Sequence, residues 1–135
     1  MEENTKNSAS ILNIRRATLS NDCYRREIWT REHLQVTVMS IPAGGEIGLE
    51  VHKDLDQMLR VEYGVGSVYA GSERRNVAYL GEADASSAIF IPAGTYHNVL
   101  NQRNVPLKLY SVYAPPKHPV GTVQRTKFDA DLAEE

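Results

Sequence analysis

An all-β sandwich or barrel is the fold class that the sequence predicts, on three observations. Apolar residues recur in short alternating stretches, the pattern of strands, not at helical spacing. Turn residues interrupt these stretches at intervals of about 8–12 residues, as in sandwiches and barrels. One segment near the C-terminal end has a helical pattern.

Taken in order, Ile11 to Arg16 and Glu27 to Arg31 are expected as extra strands at the start. Leu34-Gln35-Val36-Thr37-Val38-Met39-Ser40-Ile41 is rich in β-branched residues, and Pro42-Ala43-Gly44-Gly45 stops it. Further strands are expected at Glu46 to His52, Gln57 to Tyr63, Gly66 to Ala70, Val77 to Leu80, Ser87 to Pro92, His97 to Asn101 and Leu107 to Tyr113. Ala88-Ile89-Phe90-Ile91 is apolar at consecutive positions, as in a strand buried on both faces or near a closed sheet's seam. Gly64 and Gly66 are expected to serve a tight turn. Thr126-Lys127-Phe128-Asp129 resembles a capping box with Asp in place of Glu, ahead of Ala130, Leu132 and Ala133.

The chain has 135 residues, room for one domain, expected over residues 10–135 behind a loose polar tail at 1–9. With 41% hydrophobic and 24% charged residues it has the composition of a folded globular protein, not a disordered one. Fifteen Lys and Arg against 17 Asp and Glu leave a net charge of -2, which argues against a nucleic-acid or anionic-membrane partner. Cys23 is the one cysteine, so neither an internal disulfide nor a paired-cysteine metal site is available. The longest apolar run is far short of the ~20 residues that span a bilayer, and the polar N-terminus has no signal core. A cytoplasmic location is therefore expected. The pairs Arg15-Arg16, Arg25-Arg26 and Arg74-Arg75 read first as strand-edge and loop residues that favour solubility, with an anionic-ligand site as the alternative.

One constellation carries chemistry. Glu50 and His52 stand two residues apart, so on a strand both point to one face, about 7 Å apart. In the following strand Gln57, Leu59, Val61 and Tyr63 share the more apolar face, while Asp56, Met58, Arg60 and Glu62 share the other. Gln57 is thus expected inside, beside Glu50 and His52. Polar groups buried without partners cost several kcal/mol, so such a trio needs a partner. A metal ion is a natural one, provided that another ligand arrives from elsewhere. Pro92-Ala93-Gly94-Thr95-Tyr96-His97 supplies it, a turn that delivers His97 to the start of a strand. Two imidazoles, a carboxylate and an amide oxygen suit Zn²⁺, Fe²⁺, Mn²⁺ or Ni²⁺ better than Ca²⁺. His33 and His118 read as surface or hydrogen-bonded structural residues. Tyr63, Tyr96 and Tyr113 read as strand residues.

These residues resemble the two motifs of the cupin superfamily. Glu50-Val51-His52, four residues, Gln57, six residues and Gly64 match the spacing of the first motif. Glu50 stands where that motif usually has its first His, and Gln57 where it has Glu. Pro92-x-Gly94, two residues, His97, three residues and Asn101 match the second motif, although its leading Gly is replaced by Ser86. The resemblance runs from about Leu34 to Pro116. It is similar to a bacterial group of small cupins labelled mannose-6-phosphate-isomerase-like.

The resemblance implies a jelly-roll antiparallel β-barrel with a short C-terminal helix. It also implies a divalent metal held by Glu50, His52, Gln57 and His97, and a homodimer paired through sheet edges. The implied activity is isomerase or epimerase chemistry on a small polar substrate of sugar or sugar-phosphate type. Two alternatives are a non-haem Fe²⁺ dioxygenase that uses the two-His-one-carboxylate set and a non-catalytic cupin that holds a small ligand. No separate general base is identifiable in the sequence.

Overall fold

The computed structural model describes residues 8–134. Most of the expected 1–9 tail lies outside these residues. The order is α1 (Ile14–Ser20), β1 (Arg25–Thr30), β2 (Gln35–Ile41), β3 (Asp56–Tyr63), β4 (Gly66–Gly71), a 3₁₀ turn (Arg74–Asn76), β5 (Ala78–Ala83), β6 (Ala88–Ile91), β7 (Tyr96–Leu100), β8 (Leu107–Ala114), β9 (Val123–Gln124) and α2 (Lys127–Ala133). All strand pairs are antiparallel. One sheet runs β6-β3-β8-β2-β1-β9 and the other β5-β4-β7. The fold is an antiparallel β-barrel with a short C-terminal helix, as expected.

Strand register grades the barrel interior from polar to apolar. Gln35, Tyr113, Gln57 and Ile91 lie side by side across β2, β8, β3 and β6. The next inward-facing row is Thr37, Ser111, Leu59 and Ile89, and beyond it come Met39, Leu109 and Val61. The apolar end continues into a core of Ile41, Ile47, Val68, Val99 and Leu107, all buried. Burial of that end supplies the main driving force for folding. In these rows the polar side chains lie at the other end.

Several expectations are corrected. Ile11 to Arg16 is not a strand: α1 begins at Ile14, capped by the Asn13 side chain, which accepts from Arg16 N at 2.9 Å. This helix packs over β8, β3 and β2 on the outer face, and Arg15 donates to Glu62 at 3.2 Å. Glu62 is therefore buried despite its outward position. An irregularity between Val61 and Tyr63 shifts the strand register, and Tyr63 is exposed. β6 is an edge strand buried on one face alone, with Ile89 and Ile91 inside and Phe90 71% exposed.

Arg25 is no solubility residue, at 1% exposed. β9, which pairs with Arg25 and Arg26, is too short to show alternation. The C-terminal capping box forms, with Thr126 Oγ1 accepting from Asp129 N at 3.2 Å. Gly64 has φ +87, and a Cβ there would stand 2.5 Å from Pro106 O, so the β3–β4 turn needs glycine.

Candidate metal centre

Residues 46–52 do not form a regular strand. They run beside β7 and touch it through two bridges, Glu46 to Leu100 and Glu50 to His97. Four steps on this segment thus span three on β7, so one extra residue is accommodated as a bulge. Gly48, at φ +107, absorbs the distortion, and its N–H donates to Asn98 Oδ1 at 2.9 Å. Ile47 is pinned inside the bulge, donating from N to Val99 O and accepting from the Tyr24 hydroxyl at 2.6 Å. Ile47 is buried while Glu46 is exposed, yet Glu50 and His52 point inward again. The bulge changes the parity of the segment and aims both groups at the interior.

His97 enters from the opposite strand. Glu50 and His97 exchange N–H···O=C bonds of 2.9 Å in both directions, which places their side chains on one face. Gly94 N donates to His52 O at 2.8 Å and ties the Pro92–Gly94 turn to the same segment. The result is a cluster of Glu50, His52 and His97 whose ligand atoms all lie within 4.8 Å of one another. Glu50 Oε1 is 3.6 Å from His52 Nε2 and 3.8 Å from His97 Nε2. Metal–ligand bonds of about 2.0–2.2 Å at tetrahedral angles put ligand atoms roughly 3.4 Å apart. The two separations from Glu50 are within a few tenths of an ångström of that value.

Hydrogen bonding and charge agree with that use. His97 Nδ1 lies 2.9 Å from Thr95 O, which makes Nδ1 the donor and leaves the Nε2 lone pair toward Glu50. Both His52 Nε2 and His97 Nε2 are buried and have no hydrogen-bond partner. Burial holds the His97 pKa below the ordinary histidine value, against the Thr95 carbonyl and Glu50, so the ring is neutral as a ligand must be. Burial raises the Glu50 pKa, but His52, Arg25 and His97 together outweigh it and the net shift is downward. Glu50 is 18% exposed along its side chain, against 6% for His52 and 2% for His97, so solvent reaches the cluster at the carboxylate.

Gln57 faces the interior, as the alternation of β3 requires. Its Nε2 donates to Ser111 Oγ at 3.3 Å and its buried Oε1 has no partner. Asp56 faces outward and accepts from Ala93 N at 2.8 Å.

Three residues that the sequence reads as surface or structural groups also converge here. Arg25 reaches across the interior to place Nη2 3.7 Å from Glu50 Oε2. The Tyr113 ring packs edgewise on His52 at 6.0 Å and on His118 at 5.3 Å. His118 is half-buried, with its Nε2 enclosed and without a hydrogen-bond partner. Burial and the nearby Arg25 charge push its pKa down to about 3, which keeps it neutral. No local signal marks Arg25 or His118, since each arrives through long-range pairing. His33 is exposed, as expected.

No family model matches the chain. It is 50% identical over 125 residues to the uncharacterized protein YrkC of Bacillus subtilis, covering 93% of this chain and 67% of that one. A Bacillus halodurans protein of known structure is 52% identical, with a TM-score of 0.91 over 93% of this chain and 95% of that one. For the fold alone, a Klebsiella pneumoniae protein with a double-stranded β-helix domain is similar at a TM-score of 0.64 and 18% identity, over 89% of this chain and 95% of that one. The cupin domain of Schizosaccharomyces pombe Cnp3 is similar at 0.56 and 18%, over 67% and 62%. Among the described residues no helix is long and apolar enough to cross a membrane. The chain belongs to the family of YrkC and has the double-stranded β-helix fold seen in cupin domains.

Proposed function

We propose that the protein binds one divalent cation through Glu50, His52 and His97, with Gln57 as a fourth ligand, and acts on a small polar substrate. The observation that carries this reading is the pair of buried, unpartnered Nε2 atoms that face the Glu50 carboxylate. Two desolvated imidazole nitrogens without partners are costly in a folded barrel, and a cation removes that cost.

When bound, Zn²⁺ or Mn²⁺ supplies a Lewis acid that polarises a carbonyl or hydroxyl oxygen. The chain contributes the rest. Thr95 O orients His97, the bulge at 46–50 aims Glu50 and His52, and the barrel walls limit water around the reacting group. Three protein ligands leave positions open for substrate oxygens, and Gln57, a neutral amide, leaves the site at a formal charge of about +1. These features would suit isomerase or epimerase chemistry on a sugar or sugar phosphate. The same two-His-one-carboxylate donor set supports a second reading, oxygen chemistry with Fe²⁺.

Elemental analysis of protein purified without an affinity tag is the first test, with a stoichiometric divalent metal expected. Aldoses, ketoses and their phosphates in D₂O would then report isomerase chemistry as deuterium uptake beside the carbonyl, read by NMR and absent in His97→Ala. Oxygen uptake with Fe²⁺ and no deuterium uptake would favour the second reading. Protein that carries no metal and takes up none would defeat both.

A further inference from the structure

Six of the buried polar atoms without hydrogen-bond partners belong to the polar half of the barrel: His52 Nε2, His97 Nε2, Gln57 Oε1, Thr37 Oγ1, Arg25 Nε and His118 Nε2. A metal accounts for the histidine pair and for Gln57. It does not account for Arg25, because a cation repels a guanidinium, or for His118, which lies outside the cluster of ligand atoms.

Arg25 is held for binding on its open side. Its Nη1 donates to Gln124 Oε1 at 2.8 Å, and its guanidinium stacks over the Tyr24 ring, with the central carbon 5.1 Å from the centroid. Nε, on the opposite edge from Nη1, makes no hydrogen bond of good geometry, although the Tyr113 hydroxyl lies near the guanidinium, and Nη2 beside it stands 3.7 Å from Glu50 Oε2, too far for a hydrogen bond. That edge is the flat two-donor fork that matches two oxygens of a carboxylate. His118 is pinned over the same region: Gln35 Nε2 donates to His118 O at 2.6 Å, and His118 N donates to Gln35 Oε1 at 2.8 Å. Its ring packs on Tyr113, whose other side meets His52.

Charge points the same way. Burial raises the Tyr113 pKa, so Tyr113 is a neutral phenol, and His118 is neutral too. A divalent cation and Arg25 against the single Glu50 carboxylate then leave about two positive charges in a desolvated interior. A neutral ligand leaves that excess uncompensated.

We propose that Arg25 and His118 form an anion subsite beside the metal position, and that the natural ligand places a carboxylate there. This rests on the metal reading above and names the substrate class for the same site. A planar carboxylate matches the two-donor fork with both of its oxygens.

The test uses the full chain loaded with Co²⁺, whose visible absorption reports ligands arriving at the metal, titrated with acetate and separately with inorganic phosphate. Acetate is expected to shift the spectrum and saturate. Arg25→Gln and His118→Ala should each weaken acetate binding by about tenfold or more, because each removes a buried partner of the anion. Arg25→Lys should restore part of the loss, and Co²⁺ affinity in Arg25→Gln should be equal or tighter, since a nearby positive charge is gone. If Arg25→Gln fails to fold, His118→Ala carries the test from a segment outside the strands. Acetate binding unchanged in the folded variants would overturn the subsite, and phosphate binding tighter than acetate would overturn the carboxylate assignment. Failure of the wild type to take up Co²⁺, or uptake unaffected by His97→Ala, would instead overturn the metal reading, and the subsite with it.

Discussion

Glu50 and His97, 47 positions apart in the chain, are bonded to each other through both of their peptide groups, at 2.9 Å in each direction. That pairing, more than any side-chain contact, makes one site from two separate motifs. The carboxylate and the imidazole project from a single hydrogen-bonded pair, and His52 follows Glu50 on the same face.

His97→Ala should remove most bound metal while the barrel stays folded. The substitution deletes one of the four proposed ligands, but it leaves the backbone pairing with Glu50 and the β4–β7 register intact. Metal content by elemental analysis, beside an unchanged β-type circular dichroism spectrum, checks it.

Gln57→Ala should lower metal affinity, whereas Asp56→Ala should leave it unchanged. Gln57 Oε1 is buried and unpartnered, while Asp56 is occupied outside the barrel by Ala93 N. Titration of both variants with the metal separates them, and a loss confined to Asp56→Ala would refute the assignment.

Gly48→Val should damage the site from a distance. Gly48 has φ +107, and a Cβ there would approach Lys127 Cε at 3.0 Å. A β-branched residue at this φ costs about 1–3 kcal/mol, and relief of the strain should shift the bulge that aims Glu50 and His52. Denaturant unfolding should report the destabilisation, and metal affinity should fall with it.

The metal-free protein should lose stability on mild acidification. His118 has its pKa pushed down to about 3 by burial and Arg25, and the unfolded value is about 6.5. The unfolded state therefore binds more protons between these values, and the neutral form's advantage, complete above about pH 6.5, is lost as pH falls toward the folded pKa. Unfolding free energy should drop between pH 6.5 and pH 4 by about 1 kcal/mol per unit, less in His118→Gln. Burial lowers the His97 pKa as well, so part of the slope should persist in that variant.

Gln35→Ala should release the segment that carries His118. Its amide donates to His118 O and accepts from Lys117 N and His118 N, and it is fully buried. Loss of these bonds should cost about 2–3 kcal/mol. Faster hydrogen exchange at the Lys117 and His118 amides, without change at β4 or β7, would localise the effect.

Much of the fold was legible because local patterns carry it. Alternation in β3 placed Gln57, Leu59 and Val61 inside and Asp56 outside, and Thr126 with Asp129 announced the last helix. The spacing of Glu50-x-His52 and Pro92-x-Gly94-x-x-His97 marked the three residues that cluster. Two local readings failed where a competing signal was weaker in sequence than in space. Asn13 caps a helix in a stretch that resembles a strand, and Phe90 lies on an edge strand although its neighbours are apolar.

Local pattern and spacing in the sequence thus determined the strands, the apolar faces and the candidate ligands. Tertiary structure alone decided which further groups meet them. Arg25 belongs to a pair that reads as surface charge, and it becomes interior because β1 joins the sheet beside β2 and β9. His118 follows the last long strand in a segment without periodicity, and Gln35, 83 positions away, folds it over the interior. The extra residue at 46–50 is invisible until β7 lies alongside, since a bulge exists only as a difference between two paired strands. Alternation is a property of one strand, whereas a site assembled across strands depends on register, and register is set by pairing between residues far apart in the chain.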